Sequence, residues 1–197
     1  MLDELCEQVS GADSDAVTDA VGADSRIGRK YLKGALGYGG PCFPRDNRAL
    51  EAFAASVGVA APLPRATDII NDRQVNRVVG RVASVIHAPA KVAVLGLAYK
   101  PETPVCEASQ GIEIANELQR LGYEVSVQDP QAMDSAETLL SPRIARCTSV
   151  MEAVAGAEAV VIATAWPDYE EVSLDALRVA LVIDPWSVLR VTTKEHS

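Results

Sequence analysis

One stretch of the sequence concentrates reactive side chains: GYGGPCFPRDNRAL, from Gly37 to Leu50. Cys42 stands between Pro41 and Pro44, with Gly37, Gly39 and Gly40 before it and Arg45 and Asp46 after it. The prolines stiffen the backbone around the thiol. Gly39 and Gly40 permit positive φ and the close approach of a ligand to the main chain. Asp46 reads as the N-cap or first turn of a helix, DNRALEAFAASVG, that Gly58 closes. A cation and a helix N-terminus both favour a thiolate. A thiolate on a stiff loop is a nucleophile suited to a carbonyl carbon. The alternative is a buried loop cysteine with no chemistry. His87 and His196 are the two histidines and neither is near Cys42 in sequence, which argues against a Cys–His protease pair.

The chain around this stretch has the balance of a globular protein, with 197 residues, 48% apolar and 23% charged. A net charge of −9 disfavours nucleic acid and anionic membranes as partners. No apolar run approaches the roughly 18 to 20 residues of a membrane span. The N-terminus, MLDELCEQVS, lacks the features of a signal peptide, so a cytoplasmic location is expected. Cys6, Cys42, Cys106 and Cys147 form no CxxC pair, so no metal site is expected and the thiols should be reduced and mostly buried. The charge is uneven. Arg26, Arg29, Lys30, Lys33, Arg45 and Arg48 form a basic island containing one acid, Asp46, whereas the rest of the chain is strongly acidic. Such an island suits a small anionic ligand, or is a basic surface loop.

The elements that must position these groups fall into two parts. Residues 1–25 read as two short helices, the second capped by Asp13 or Ser14 and ended by Gly22. Residues 26–45 read as an ordered loop. After the helix of the opening stretch comes a long amphipathic pattern, about residues 66–86. Its face of Ile69, Ile70, Val75, Val78, Val79, Val82, Val85 and Ile86 is broad for one small domain to cover and predicts a homodimer seam; the alternatives are a helix that links domains, or a face covered by residues 1–60 folding back on it. HAPAK, residues 87–91, marks a domain boundary at 88/89. Beyond it strands (KVAVLGL, EVSVQDP, EAVVIATAW, ALVIDPW) alternate with helices: SQGIEIANELQRLG, capped by Ser109, and others near 132–140, 149–155 and 173–178. Apolar strands alternating with helices predict a Rossmann-like α/β domain with a parallel sheet. The dinucleotide fingerprint is incomplete, since Ala98 and Pro101 stand where G-x-G-x-x-G from Gly96 needs glycines. Asp129, at the end of the second strand, resembles a ribose-binding acid. Lys100 lies at the carboxyl end of a strand, where open α/β sheets bind ligands.

DSRIGRKYLKGALGYGGPCFPRD resembles the active-site segment of the UDP-glucose/GDP-mannose dehydrogenase family. VAVLGLAYKPET and TAWPDYEE resemble segments of that family's C-terminal UDP-binding domain, and the long helix resembles its central, dimer-forming helix. The resemblance implies an enzyme that oxidises C6 of a nucleotide sugar twice, using NAD, with UDP-glucose as the leading substrate. It implies that Cys42 is the nucleophile, forming a thiohemiacetal and then a thioester, and that Asp46 helps position the hydrolytic water. Arg45 stands at a cofactor-contacting position. Arg26, Tyr31, Leu32, Lys33, Gly34, Ala35, Gly39 and Lys100 match substrate-binding positions, Arg26 by reaching into a neighbouring subunit. The basic island would then face a pyrophosphate.

The match departs from the family in three ways. The NAD-binding domain and the first part of the central domain have no counterpart, so residues 1–88 correspond to an N-terminally incomplete central domain and 89–197 to the UDP-sugar-binding domain. Glu107 occupies a position where many members have a cofactor-contacting arginine. Trp186 of DPWS replaces the arginine of a common DGRN pattern. A non-catalytic module that binds a nucleotide sugar or only dimerises is the rival reading.

Overall fold

The computed structural model describes residues 1–172 and 179–189, which group into two compact units: residues 1–35, and the chain from Leu36 onward. In the first unit α1 (Leu2–Glu7) and α2 (Ser14–Gly22) are joined by a short turn. Asp13 caps α2, its carboxylate accepting from the peptide N–H of Asp15 at 2.8 Å, which satisfies a donor that the helix itself cannot.

The second unit opens with the glycine-rich loop and α3 (Phe43–Ser56), followed by α4 (Pro62–Val85). α3 begins three residues before Asp46. Pro44 sits in the first turn, where its missing N–H costs nothing, so it starts the helix rather than stiffening a loop. α4 has 24 residues, about 36 Å of helix.

The sheet that follows is wholly parallel, with β1 (Lys91–Leu95), β2 (Glu124–Gln128), β3 (Ala145–Arg146), β4 (Ala159–Ile162) and β5 (Leu181–Ile183) in spatial order β3-β2-β1-β4-β5. This is the Rossmann-like α/β order, with its switch point between β1 and β4. Four of the five residues of β1 and all of β4 are buried, as a sheet covered on both faces requires. α5 (Gln110–Arg120) carries Ser109 as its cap, the hydroxyl accepting from Ile112 N–H, and α6 (Val150–Val154) follows β3. A 3₁₀ turn, Pro167–Glu171, buries Tyr169 completely.

Two expectations change, and a third is not tested. Residues 132–140 form consecutive turns rather than a helix. Two helix-like bonds, Ala136 N–H to Ala132 O and Leu140 N–H to Ala136 O, do not propagate. The helix expected at 173–178 lies outside the described residues. The broad apolar face of α4 is largely covered within the chain, because Val75, Val78, Val79, Val82 and Ile86 belong to the same core as the sheet, and α4 packs on α3 and α5. Of the expected seam, Ile69 and Val85 remain exposed. Among the described residues no helix is long and apolar enough to cross a membrane.

Candidate functional site

Cys42 is the N-cap of α3 and is exposed, unlike Cys106 and Cys147, which are buried, and Cys6, which is half-buried. The alternative of a buried loop cysteine is therefore excluded. The Cys42 carbonyl accepts the first helical bond, from Asp46 N–H at 2.8 Å. Asp46 and Arg45 are exposed neighbours whose carboxylate and guanidinium pair at 2.8 Å. That bond, with the charges of Asp46, Cys42 and Glu107 nearby, raises Arg45 further above its ordinary value.

The loop before Cys42 is fastened at every turn. Gly37 N–H donates to the Gln110 carboxamide at 3.0 Å. The peptide N–H of Tyr38 donates to Asn71 Oδ1 at 2.7 Å, and its carbonyl accepts from Asn71 Nδ2 at 3.0 Å. The Tyr38 hydroxyl donates to Asp68 at 2.6 Å, and Asp68 also accepts from Asn47 at 2.8 Å. Burial and the Asp68 carboxylate push the Tyr38 phenol well above its ordinary range, while the same bond holds Asp68 below its own. Gly40 N–H donates to the Glu107 carbonyl at 2.7 Å. Gly40 has φ +84°, and a Cβ there would strike the Tyr99 ring; at Gly39 it would strike the Ala108 carbonyl. The close approach expected of a ligand at these glycines is thus made by the protein itself.

Tyr99 and Glu107 belong to the segment after β1 that also carries Lys100. Lys100 is exposed, its ammonium 5.7 Å from the centre of the Tyr99 ring. The structure therefore brings Cys42, Arg45, Asp46, Gly39 and the Lys100 segment into one region. The roles of Tyr99, Asn71 and Gln110 were not visible in the sequence.

At the switch point, Asp129 is 2% exposed and accepts five hydrogen bonds. Oδ2 takes Leu97 N–H (2.6 Å), Ala98 N–H (3.0 Å) and the Trp166 indole N–H (3.0 Å), and Oδ1 takes Gln131 N–H (2.9 Å) and Ala132 N–H (2.7 Å). Gly96, at φ +101°, lies so close to Thr164 that no side chain fits, and the Thr164 hydroxyl donates to the Ala98 carbonyl at 2.7 Å. The amides after β1, which cradle pyrophosphate in dinucleotide-binding sheets, are filled here by a carboxylate of the chain itself. Asp129 is turned inward and is not placed to bind a ribose.

In the first unit, Arg26 forms a paired contact with Asp24, with Nε at 3.0 Å from Oδ1, and each holds the other in its charged form. Lys33 binds Asp15 at 2.9 Å and lies 3.7 Å from Asp19. Much of the basic island is thus already matched by acidic neighbours rather than left open for a pyrophosphate. Tyr31 is 94% exposed, Gly34 is exposed, and Leu32 and Ala35 are half-buried. Trp186 lies in a turn after β5, its N–H bonded to Asp184 at 3.2 Å.

Comparison with known proteins places the chain in a family. The UDP binding domain of the UDP-glucose/GDP-mannose dehydrogenase family matches residues 93–191, and the central domain of that family matches residues 1–73. The chain is 37% identical over 179 residues to UDP-glucose 6-dehydrogenase TuaD of Bacillus subtilis, covering 90% of this chain and 39% of that protein. It is 36% identical to UDP-glucose 6-dehydrogenase AglM of Haloferax volcanii, covering 93% and 43%. Among solved structures, a UDP-glucose dehydrogenase from Pyrobaculum islandicum superposes with a TM-score of 0.78 at 32% identity, over 90% of this chain and 44% of that one. The chain spans about two fifths of the length of these relatives.

Proposed function

This chain belongs to the UDP-glucose/GDP-mannose dehydrogenase family, and we propose that it is the C-terminal portion of an NAD-dependent enzyme oxidising UDP-glucose to UDP-glucuronate. The observation that carries the reading is the position of Cys42. It is exposed at the N-terminus of α3, on a loop bonded through Gly40 to the segment that bears Lys100.

In the proposed chemistry the Cys42 sulfur adds to the C6 aldehyde, forming the C–S bond of a thiohemiacetal. Loss of the C6 hydrogen with its electron pair, and of the hydroxyl proton, leaves a thioester; NAD would supply the acceptor for that hydride. Water held by Asp46 attacks the acyl carbon, the C–S bond breaks, and carboxylate and thiol are released. Sulfur suits both ends of this sequence, adding readily to an aldehyde and leaving readily from an acyl group. We assign substrate contacts to Arg26, Tyr31, Leu32, Lys33, Gly34, Ala35, Gly39 and Lys100. Arg26 and Lys33 exchange their aspartate partners for phosphate oxygens in this reading.

NAD does not fit the carboxyl edge of this sheet, because Asp129 occupies the amides that would hold its pyrophosphate. Arg45 is the residue we assign to a cofactor held elsewhere. We place the boundary between the central and UDP-sugar-binding domains at 88/89. A homodimer built on α4 would have to use its exposed start, Leu63 and Ile69, with Leu50 and Phe53 of α3.

Calorimetric titration with UDP-glucose tests the reading. Binding that is weakened at least tenfold in Lys100→Ala supports it, and no binding by the wild-type chain overturns it. A binding module without catalysis is the second reading, favoured by Glu107 near Arg45, an acid where many family members have a cofactor-contacting arginine. Trapping of an aldehyde analogue of the substrate on Cys42 separates the two.

A further inference from the structure

The loop that presents Cys42 has no regular secondary structure, yet its peptide groups are held from two sides. From one side, α4 supplies Asp68 and Asn71, three residues apart and so on one face of the helix. Asn71 grips both peptide groups of Tyr38, accepting from its N–H and donating to its carbonyl, as a neighbouring strand would. From the other side come Gln110, at the start of α5, and the Glu107 carbonyl, with the Tyr99 ring against Gly40. Residues 99–110 are therefore shared: one end carries Lys100 and the other end fastens the loop before the thiol.

We propose that Asn71 and Gln110 are positioning residues that lock the Cys42 loop to the Lys100 segment, so that nucleotide binding at Lys100 tightens the loop carrying the nucleophile. This rests on the functional reading above and deepens it. The physical basis is two-sided restraint. The half-buried Gly37 and Tyr38 amides lose their partners if either carboxamide goes, and the loop then has an alternative, looser arrangement. A ligand that orders residues 99–110 favours the locked arrangement, and by linkage the lock favours the ligand.

Amide hydrogen exchange on the 197-residue chain, with UDP as probe, tests this. UDP lacks the hexose, and Gly37 and Tyr38, whose amides Gln110 and Asn71 hold, are not among the assigned substrate contacts, so slower exchange there reports transmission rather than cover. In the wild type, UDP should slow exchange of the Gly37, Tyr38 and Gly40 amides at least about fivefold. Asn71→Ala should raise their basal exchange, leave β1, β2 and β4 protected, abolish the response and weaken UDP binding at least about fivefold. Gln110→Ala is the second variant, used if Asn71→Ala does not fold, and should do the same. UDP binding with no change in residues 36–42 overturns the coupling alone. A folded variant of either residue with wild-type affinity and response also overturns it. Failure of the wild type to bind UDP sinks the functional reading and the coupling together.

Discussion

Replacing Asp129 by Asn is nearly isosteric, yet it should destabilise the fold strongly. The carboxylate accepts three donors at Oδ2 and two at Oδ1, and four of the five are backbone amides of the turns after β1 and β2. An asparagine has one acceptor atom. Its better orientation keeps the oxygen toward Leu97, Ala98 and Trp166 and aims an NH₂ at the amides of Gln131 and Ala132. The buried Ala132 donor then lacks a partner, at about 1–3 kcal/mol, the part-buried Gln131 donor loses less because water reaches its exposed residue, and the three remaining bonds lose their charge assistance. Relief of a buried charge offsets part of this. A net loss of about 3 kcal/mol is expected, or about 6–12 °C in Tm for a chain of this size. Urea unfolding followed by circular dichroism measures it. Asp129→Ala, which strands all five donors, should cost more. A change below about 1 kcal/mol in Asp129→Asn would refute the view that this carboxylate holds the turns together.

The isolated chain, given UDP-glucose and NAD, should produce no sustained NADH absorbance, because its sheet does not fit the dinucleotide. Limited alkylation at neutral pH should label Cys42 first and Cys106 and Cys147 last, since burial pushes both buried thiols up, Cys106 to about 11. Labelling of Cys147 before Cys42 would remove the physical support for the nucleophile. The raised thiol of Cys106 also predicts a pH dependence. Its neutral form is favoured in the folded state, so its contribution is fully present below the unfolded value near 9 and is lost as pH rises toward about 11. The stability difference between wild type and Cys106→Ala, measured at pH 8 and pH 10.5, should shift against the wild type; an unchanged difference would refute it. If the chain self-associates, Leu63→Asp should abolish the dimer in light scattering without lowering Tm, because Leu63 is exposed. Val82→Asp, at a fully buried position, should unfold it instead.

What was legible in the sequence was local or periodic. The caps at Asp13 and Ser109 act on amides within three residues, so the short motif contains the whole interaction. The parallel sheet was legible because strands buried on both faces must be apolar throughout. β3 was missed because two residues carry no pattern. Residues 132–140 were misread because their apolar spacing suits a helix, while the chain there is held by the Asp129 carboxylate at its start. The valines of α4 were assigned to a partner subunit because periodicity reports that a face is buried and not what buries it.

The candidate site was legible at Cys42 and opaque around it. The bonds that hold its loop span 33 residues to Asn71 and 73 to Gln110, and a carboxamide in a helix has no sequence signature for such a task. Asp129 shows the same limit from the other direction. An acid at the end of the second strand ordinarily suggests a ribose, and Gly96 with Gly111 even performs the close packing of a dinucleotide turn, since a Cβ at Gly111 would strike the Gly96 carbonyl. The long segment between those glycines lets the acid turn inward and satisfy the amides that a phosphate would otherwise claim. Fold follows from which residues are apolar and at what spacing. Ligand follows from which polar groups the fold leaves unsatisfied, and at this switch point the Leu97 and Ala98 amides are already taken by Asp129.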